Sequence, residues 1–330
     1  MTPRERVLAA LKREATDRVP WVENYIHTSL INKIIGYQVT PLKGSRIAVE
    51  IHEKLCVDNL TYDFRPPDYA VTERHGDLEM IVEGKLRTWE DLKKMQEWLP
   101  DPDDESFYCD ARELLRQKGD YAAVATIRLG IANVYNSMGY ENFIYALYDN
   151  PEFITAALEV FADWSGKVIE RVNEMDFDIV WISEDIAFQS GPIVTAEQYE
   201  KYIFPYAKKL ADKIRFPKIY HSDGNYLPVL DYILQYNPSA IANLEPPAMD
   251  IFSLKKSHGD KISLLGNIDL HYTLTRGTEE ETIAEVKEKI ERVGEGGGYL
   301  IASSSGLAAY CKPENVLAMN DTILKYGYYK

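Results

Sequence analysis

DIVWIS, at residues 178–183, is the stretch on which the fold reading turns. Four apolar residues stand together with no polar alternation, as expected of a parallel strand covered on both faces. Four more runs of the same kind follow: PKIYH (217–221), AIANLE (240–245), ISLLGNI (262–268) and GYLIAS (298–303). Segments of helical period separate them at 195–215, 226–236, 250–258 and 278–293, and another follows at 312–326. Thr278 with Glu281 fits a capping box, and Gly294 fits a helix stop. Five strand–helix units in succession predict a β/α barrel or a doubly wound sheet.

The first half is less regular. Residues 1–13 read as an amphipathic helix, 19–26 as a strand, and 45–55 as a helix running into a strand at 58–64. Residues 69–83 alternate like a surface hairpin. DPDD at 101–104 is an acidic break, followed by a helix and then a strand in YAAVATIR (121–128). Long helices are expected at 131–148 and 151–174. The early strands bring the number to eight, and no linker or low-complexity segment divides the chain. The expected fold is therefore α/β, a single (β/α)8 TIM barrel over residues 1–330 with N-terminal helical additions and a small hairpin insertion.

Composition narrows the class of function. The chain has 330 residues, 45% hydrophobic and 27% charged, with 37 Lys and Arg against 52 Asp and Glu, for a net charge of −15. Such a surface repels phosphate backbones, so no nucleic-acid partner is expected. No apolar run approaches the ~20 residues of a membrane span, and residues 1–13 lack a signal-peptide core, so no membrane association is expected. Cys56, Cys109 and Cys311 are odd in number and far apart, without a CxxC. They make neither a disulfide framework nor a zinc knuckle, and the chain reads as cytoplasmic. The 23 Tyr and 5 Trp are a heavy aromatic load, suited to core packing or to an apolar substrate pocket.

A barrel places its active site at the C-terminal ends of the strands. The residues falling there are Glu23, Tyr25 and His27, then Arg128, then Glu184 and Asp185. After these come His221 and Asp223, Glu245, Asn267 and Asp269, and residues 303–305. Each alone has a plain reading as a solvated loop residue or helix N-cap; their convergence on one rim is the signal. His221 stands out, because it ends an apolar strand two positions before a carboxylate and just ahead of Gly224. His-x-Asp lets an imidazole and a carboxylate converge, as a metal or a proton-transfer pair requires. His271 could reach the rim, and His52, His75 and His258 read as surface residues. No GxGxxG, GxxxxGK[ST], GxSxG or HExxH motif is present, and GEGGGY (294–299) leads into a strand rather than out of one. Cys311 has no neighbouring base and reads as an ordinary thiol.

TPRERVLAALKREATDRVP (2–20), GPIVTAEQYEKYIFPYAKKL (191–210), HSDGN (221–225), NLEPPAMDIFSLKKSHGDKISLLGNID (243–269) and KPENVLAM (312–319) together resemble the uroporphyrinogen decarboxylase superfamily, in its order and over nearly the whole chain. The resemblance implies a (β/α)8 barrel. True decarboxylases of that family carry an arginine-rich segment after the first strand, where this chain has WVENYIHTS (21–29). Without those arginines, and at −15, a porphyrinogen with eight carboxylates is poorly received. The other large branch holds corrinoid-protein-dependent methyltransferases. Its coenzyme M enzymes bind zinc through His-x-Cys and a later Cys nine residues before the Glu of PxEN. His221 matches the histidine, but Asp223 and Ser305 stand at the two cysteine positions, so the soft thiol-activating site is lost.

The resemblance thus implies a methyltransferase that moves a methyl group from a small methylated substrate, an aryl methyl ether, to the cobalt of a partner corrinoid protein. Catalytic roles are expected for His221, Asp223 and Glu184, which could also hold zinc through N and O ligands. Substrate-binding roles are expected for Tyr25, His27, Glu245, Asn267, Asp269 and Ser305. A homodimer is compatible with this reading. The alternatives are a decarboxylase or lyase of the same fold on a small carboxylated substrate, and an inactive binding barrel.

Overall fold

A computed structural model describes residues 1–75 and 78–329. Among them, seven strands form one curled parallel sheet, labelled β1 (Asn59–Asp63), β2 (Ala122–Ile127), β3 (Ile179–Ser183), β4 (Lys218–His221), β5 (Ala240–Asn243), β6 (Ser263–Gly266) and β7 (Tyr299–Leu300). Each pairs with the next in chain order, in registers such as Thr61↔Val124, Ser183↔His221 and His221↔Ala242. Parallel neighbours need long crossovers, and helices supply them, the longest being Pro151–Val172. The seven runs read as strands from 58 onward all lie on this sheet.

The eighth expected strand, 19–26, is not a ladder. Trp21 makes one parallel bridge to Val57 on one edge of the sheet and one to Ile301 on the other. Pro20 has no N–H to give, and side chains take the donors that a neighbouring strand would have used. Asp58 Oδ2 accepts from the Trp21 N–H at 2.9 Å, and Asn59 Oδ1 from the Glu23 N–H at 3.0 Å. The segment spans both edges of the sheet through these few bonds.

Alternation along the strands sorts the side chains. Ala122, Val124, Ile179, Trp181, Ile219, Ala240, Ala242, Leu265 and Leu300 face the inside of the curl. The small alanines leave room for the Trp181 indole, so the interior is filled rather than open. Helix Pro3–Leu11, started by a Thr2–Glu5 capping box, adds Val7, Ala10 and Leu11 at the end away from the strand C-termini. Arg6 and Arg18 anchor this end on the buried Asp58 carboxylate, at 2.6 and 2.9 Å.

Three helical expectations are modified locally. The helix expected at 131–148 breaks into Ile131–Met138 and Tyr140–Asp149, because Gly139 takes φ +78 between them. The 195–215 helix contains a π-turn at Tyr199–Ile203 before Phe204–Lys213, where Pro205 cannot donate and the ladder changes register. Residues 45–55 hold only a 3-10 turn, Val49–Glu53. The hairpin expected over 69–83 is present as Ala70–His75 against Leu78–Gly84, and residues 76–77 of that stretch lie outside the described residues. No helix among the described residues is long and apolar enough to cross a membrane.

Candidate functional site

The C-terminal ends of β3, β4 and β5 build the site. Ile219 faces inward, so His221 two residues later does too, and its ring lies 5.8 Å from that of Trp181. By the same period Trp181 leads through Ser183 to Asp185, whose Oδ1 stands 3.6 Å from His221 Nε2. Asp223 Oδ1 lies 4.0 Å from that nitrogen. These three side chains offer one nitrogen and two oxygens, all within 4.8 Å of one another.

Turn chemistry brings Asp223 back over His221. Gly224 adopts φ +73, and a Cβ there would meet the carbonyl oxygens of Ala187 and Phe188 at 2.5 Å. Only glycine lets the chain pass so close. Asn243 and Leu244 both hold left-handed backbone, φ 71 and 47, an arrangement a leucine adopts only when its surroundings impose it. The result turns Asn243 Nδ2 onto Asp223 Oδ1 at 2.5 Å and His221 Nε2 at 3.1 Å. The Ser305 hydroxyl donates to Asp223 Oδ2 at 3.1 Å.

The two aspartates are pushed apart electrostatically. Burial favours the neutral form of Asp185, but the His221 imidazole and the guanidiniums of Arg128 and Arg65 outweigh it and hold this carboxyl well below the usual range. Arg128 reaches within 3.8 Å of Asp185 and 3.2 Å of Asp68. At Asp223, burial and the Asp185 charge raise the pKa against the pull of His221, Asn243 and Ser305. One carboxylate is ionised beside one that keeps its proton more tightly, which is how acid and base roles are divided within a site. His221 Nδ1 and Asp185 Oδ1 are buried without a hydrogen-bond partner in the protein.

Glu184 is turned away from this cluster. It sits on the opposite parity from Asp185, and its carboxylate accepts the N–H groups of Leu129, Gly130 and Ala132 at the start of helix Ile131–Met138. Burial raises it to about 7 despite Arg128 and those three donors. Glu245 braces the turn after β4, accepting from Gly224 N at 2.9 Å, Gln189 at 2.9 Å and His271 Nε2 at 2.8 Å. Asn267 donates to the Leu244 carbonyl and so holds the left-handed residue in place. Asp269 accepts the His271 N–H at 2.7 Å. His27 caps helix Thr28–Ile35 through Ser29, while Tyr25 lies under the Arg46 guanidinium. Of the residues read from sequence, the structure therefore brings His221, Asp223 and Ser305 together. Asp185 and Arg128, placed at the rim from sequence but given no role there, and Asn243, which was not singled out, complete the group; the period of two through Trp181 was the available signal for the role of Asp185.

The sequence profile of the family described as uroporphyrinogen decarboxylase (URO-D) matches residues 73–326. The chain belongs to the uroporphyrinogen decarboxylase family. Its relatives include the methylcobamide:CoM methyltransferase MtbA of Methanosarcina acetivorans, 21% identical over 99% of both chains. They also include a uroporphyrinogen decarboxylase of Methylococcus capsulatus, 23% identical over 69% of this chain and 67% of that one. Among solved structures, a methyltransferase from Methanosarcina mazei shares the fold with a TM-score of 0.76 and 17% identity, over 99% of both chains. The cluster of Asp185, His221 and Asp223 lies at the C-terminal ends of β3 and β4 of the curled parallel sheet.

Proposed function

We propose that this family member transfers a methyl group from a small O-methylated substrate, an aryl methyl ether, to the cobalt of a corrinoid-bearing partner protein. The observation that carries the reading is the cluster of Asp185, His221 and Asp223, an imidazole with two carboxylates and no thiolate. Such hard donors suit an oxygen-containing substrate better than a thiol. The relatives named for methylcobamide and CoM point to the corrinoid as the other methyl carrier. Counting the Trp21 segment as the first strand, we read the fold as a complete (β/α)8 barrel over the whole chain. We place the protein in the cytoplasm on the strength of its three free cysteines.

In the transfer, the electron pair of cobalt(I) forms the new bond to the methyl carbon. The C–O bond breaks, and its pair stays on the departing oxygen, which must be protonated or otherwise stabilised. Asp223, the carboxyl of the two that binds a proton more tightly, is partly exposed, and in its protonated form it can deliver that proton to the departing oxygen. Asp185 stays ionised and, with Asn243, orients the His221 ring. The cluster also fits a zinc ion. Ligand atoms around a tetrahedral ion stand roughly 3.4 Å apart; here the carboxylates stand 3.6 and 4.0 Å from His221 Nε2 and all three atoms lie within 4.8 Å, so the two aspartates would draw inward on an ion. Asp185, His221 and Asp223 would hold it, and zinc would supply Lewis-acid stabilisation of the departing oxygen.

A decarboxylase acting on a small carboxylated substrate is the second reading. It draws on Arg46 and Arg65, which share the single carboxylate of Asp63 at the mouth, and it requires CO2 release without a corrinoid protein. The deciding experiment combines metal analysis with methyl transfer from anisole to a cobalt(I) corrinoid protein, on wild type and His221→Ala. Loss of at least about 100-fold in kcat/KM in the variant is expected. Unchanged transfer would remove His221 from the chemistry.

A further inference from the structure

Asp185 also lies in the wall of a cavity of about 570 Å³ beside the cluster, within the range of about 300–1,000 Å³ typical of small-molecule sites. Ile81 and Val82 of the hairpin form one wall, Tyr135 and Tyr140 of the two helices another, and Phe188 of the loop after β3 a third. These are large apolar side chains left in water: Phe188 is 52% exposed, Val82 49% and Tyr140 41%. The rings of Tyr140 and Phe188 meet edge to face at 5.2 Å, and Tyr135 meets Tyr140 in the same manner at 6.5 Å. Aromatic side chains gathered on the surface in this way form a binding wall, since as core they would be covered.

The polar end of the cavity is Asp185. Its Oδ1 is buried with no hydrogen-bond partner, and the Tyr135 hydroxyl donates to its main-chain oxygen at 2.6 Å. A wall residue thus fixes the peptide that carries one of the three clustered donors. The charged side chains of the lining are Glu83 and Asp185, and among the described residues no lysine or arginine lines it. Glu83 is paired with Arg87 at 2.6 Å and Asp185 with Arg128 at 3.8 Å, so the described wall offers no free cation to a desolvated ring carboxylate, whereas a neutral ring needs none.

We infer that this cavity is the ring subsite of the enzyme. It takes the uncharged aromatic ring of a methoxyarene between the hairpin and Phe188, with the ether oxygen directed past Asp185 toward the Asp223 carboxyl, and it disfavours ring carboxylates. The assignment rests on the proposed reaction at Asp185, His221 and Asp223, and its test separates the two. Titration of the full chain with phenol and with benzoate, read by calorimetry, should show benzoate binding at least tenfold more weakly. Phe188→Ala should weaken phenol about tenfold, and Phe188→Trp should retain it. Equal binding of phenol and benzoate, or unchanged phenol affinity in Phe188→Ala, overturns the subsite. If phenol behaves as expected but anisole yields no methyl transfer, the subsite stands and the reaction falls. If anisole is demethylated with the same KM in wild type and Phe188→Ala, the reaction stands and the subsite falls.

Discussion

Two adjacent carboxylates leave the end of β3 in opposite directions, and their roles follow from that. Asp185 continues the inward parity of Trp181 and meets His221, whereas Glu184 turns toward the helices and caps Ile131–Met138. Their substitutions should separate activity from stability. Asp185→Asn should lower methyl transfer at least tenfold while leaving the melting temperature within a degree or two. Glu184→Ala should lower stability by about 2 kcal/mol, because it strands buried N–H groups. For a chain this long that amounts to several degrees in Tm. Paired activity assays and thermal melts check this, and a Glu184→Ala protein with full stability and no activity would reverse the assignment. The parity was available in the sequence once Trp181 was taken as an inward residue. The position of Asn243 was not, because two left-handed residues in succession cancel the alternation at the end of β5.

At the scale of elements, the turn from His221 to Asn225 is the device that folds Asp223 back over the imidazole. Gly224 is required twice over, by its positive φ and by the carbonyls of Ala187 and Phe188 that crowd its missing side chain. Gly224→Ala should cost about 1–3 kcal/mol and shift the Asp223 carboxyl from its partners. We expect a lower Tm together with a methyl-transfer rate reduced more than tenfold; a variant that melts and turns over like wild type would show that the turn relaxes freely. Strand runs and capping boxes were legible from local pattern, as at Thr278 and Glu281. The break at Gly139 and the π-turn before Phe204 were not, since continuous helical periodicity hides a single residue that changes register.

On the scale of the whole molecule, two glutamates carry a folding cost that varies with pH. Burial raises Glu23 to about 7, although Trp21 and Ser303 donate to it, and Glu184 to about 7. A carboxyl whose folded pKa lies above its unfolded value binds its proton more tightly when folded. The stability it confers is complete below the unfolded value of about 4.5 and is lost as pH rises through about 7. Tm should therefore fall by several degrees between pH 5 and 8, and Glu23→Gln should flatten that slope. A Tm that rises steadily over this interval would contradict the assignment.

What the sequence by itself determined was the β/α rhythm, the family, and the presence of His221 and Asp223 at one strand end. These are written in local periodicity and short motifs, because a strand buried on both faces must be apolar along its length. Only the tertiary structure decided that the Trp21 segment bridges both edges of the sheet without forming a ladder. Only it selected Asp185 over Glu184 and set an aromatic cavity beside the cluster. Those outcomes depend on side chains far apart in the chain competing for the same donors and the same space, and no local pattern records that competition.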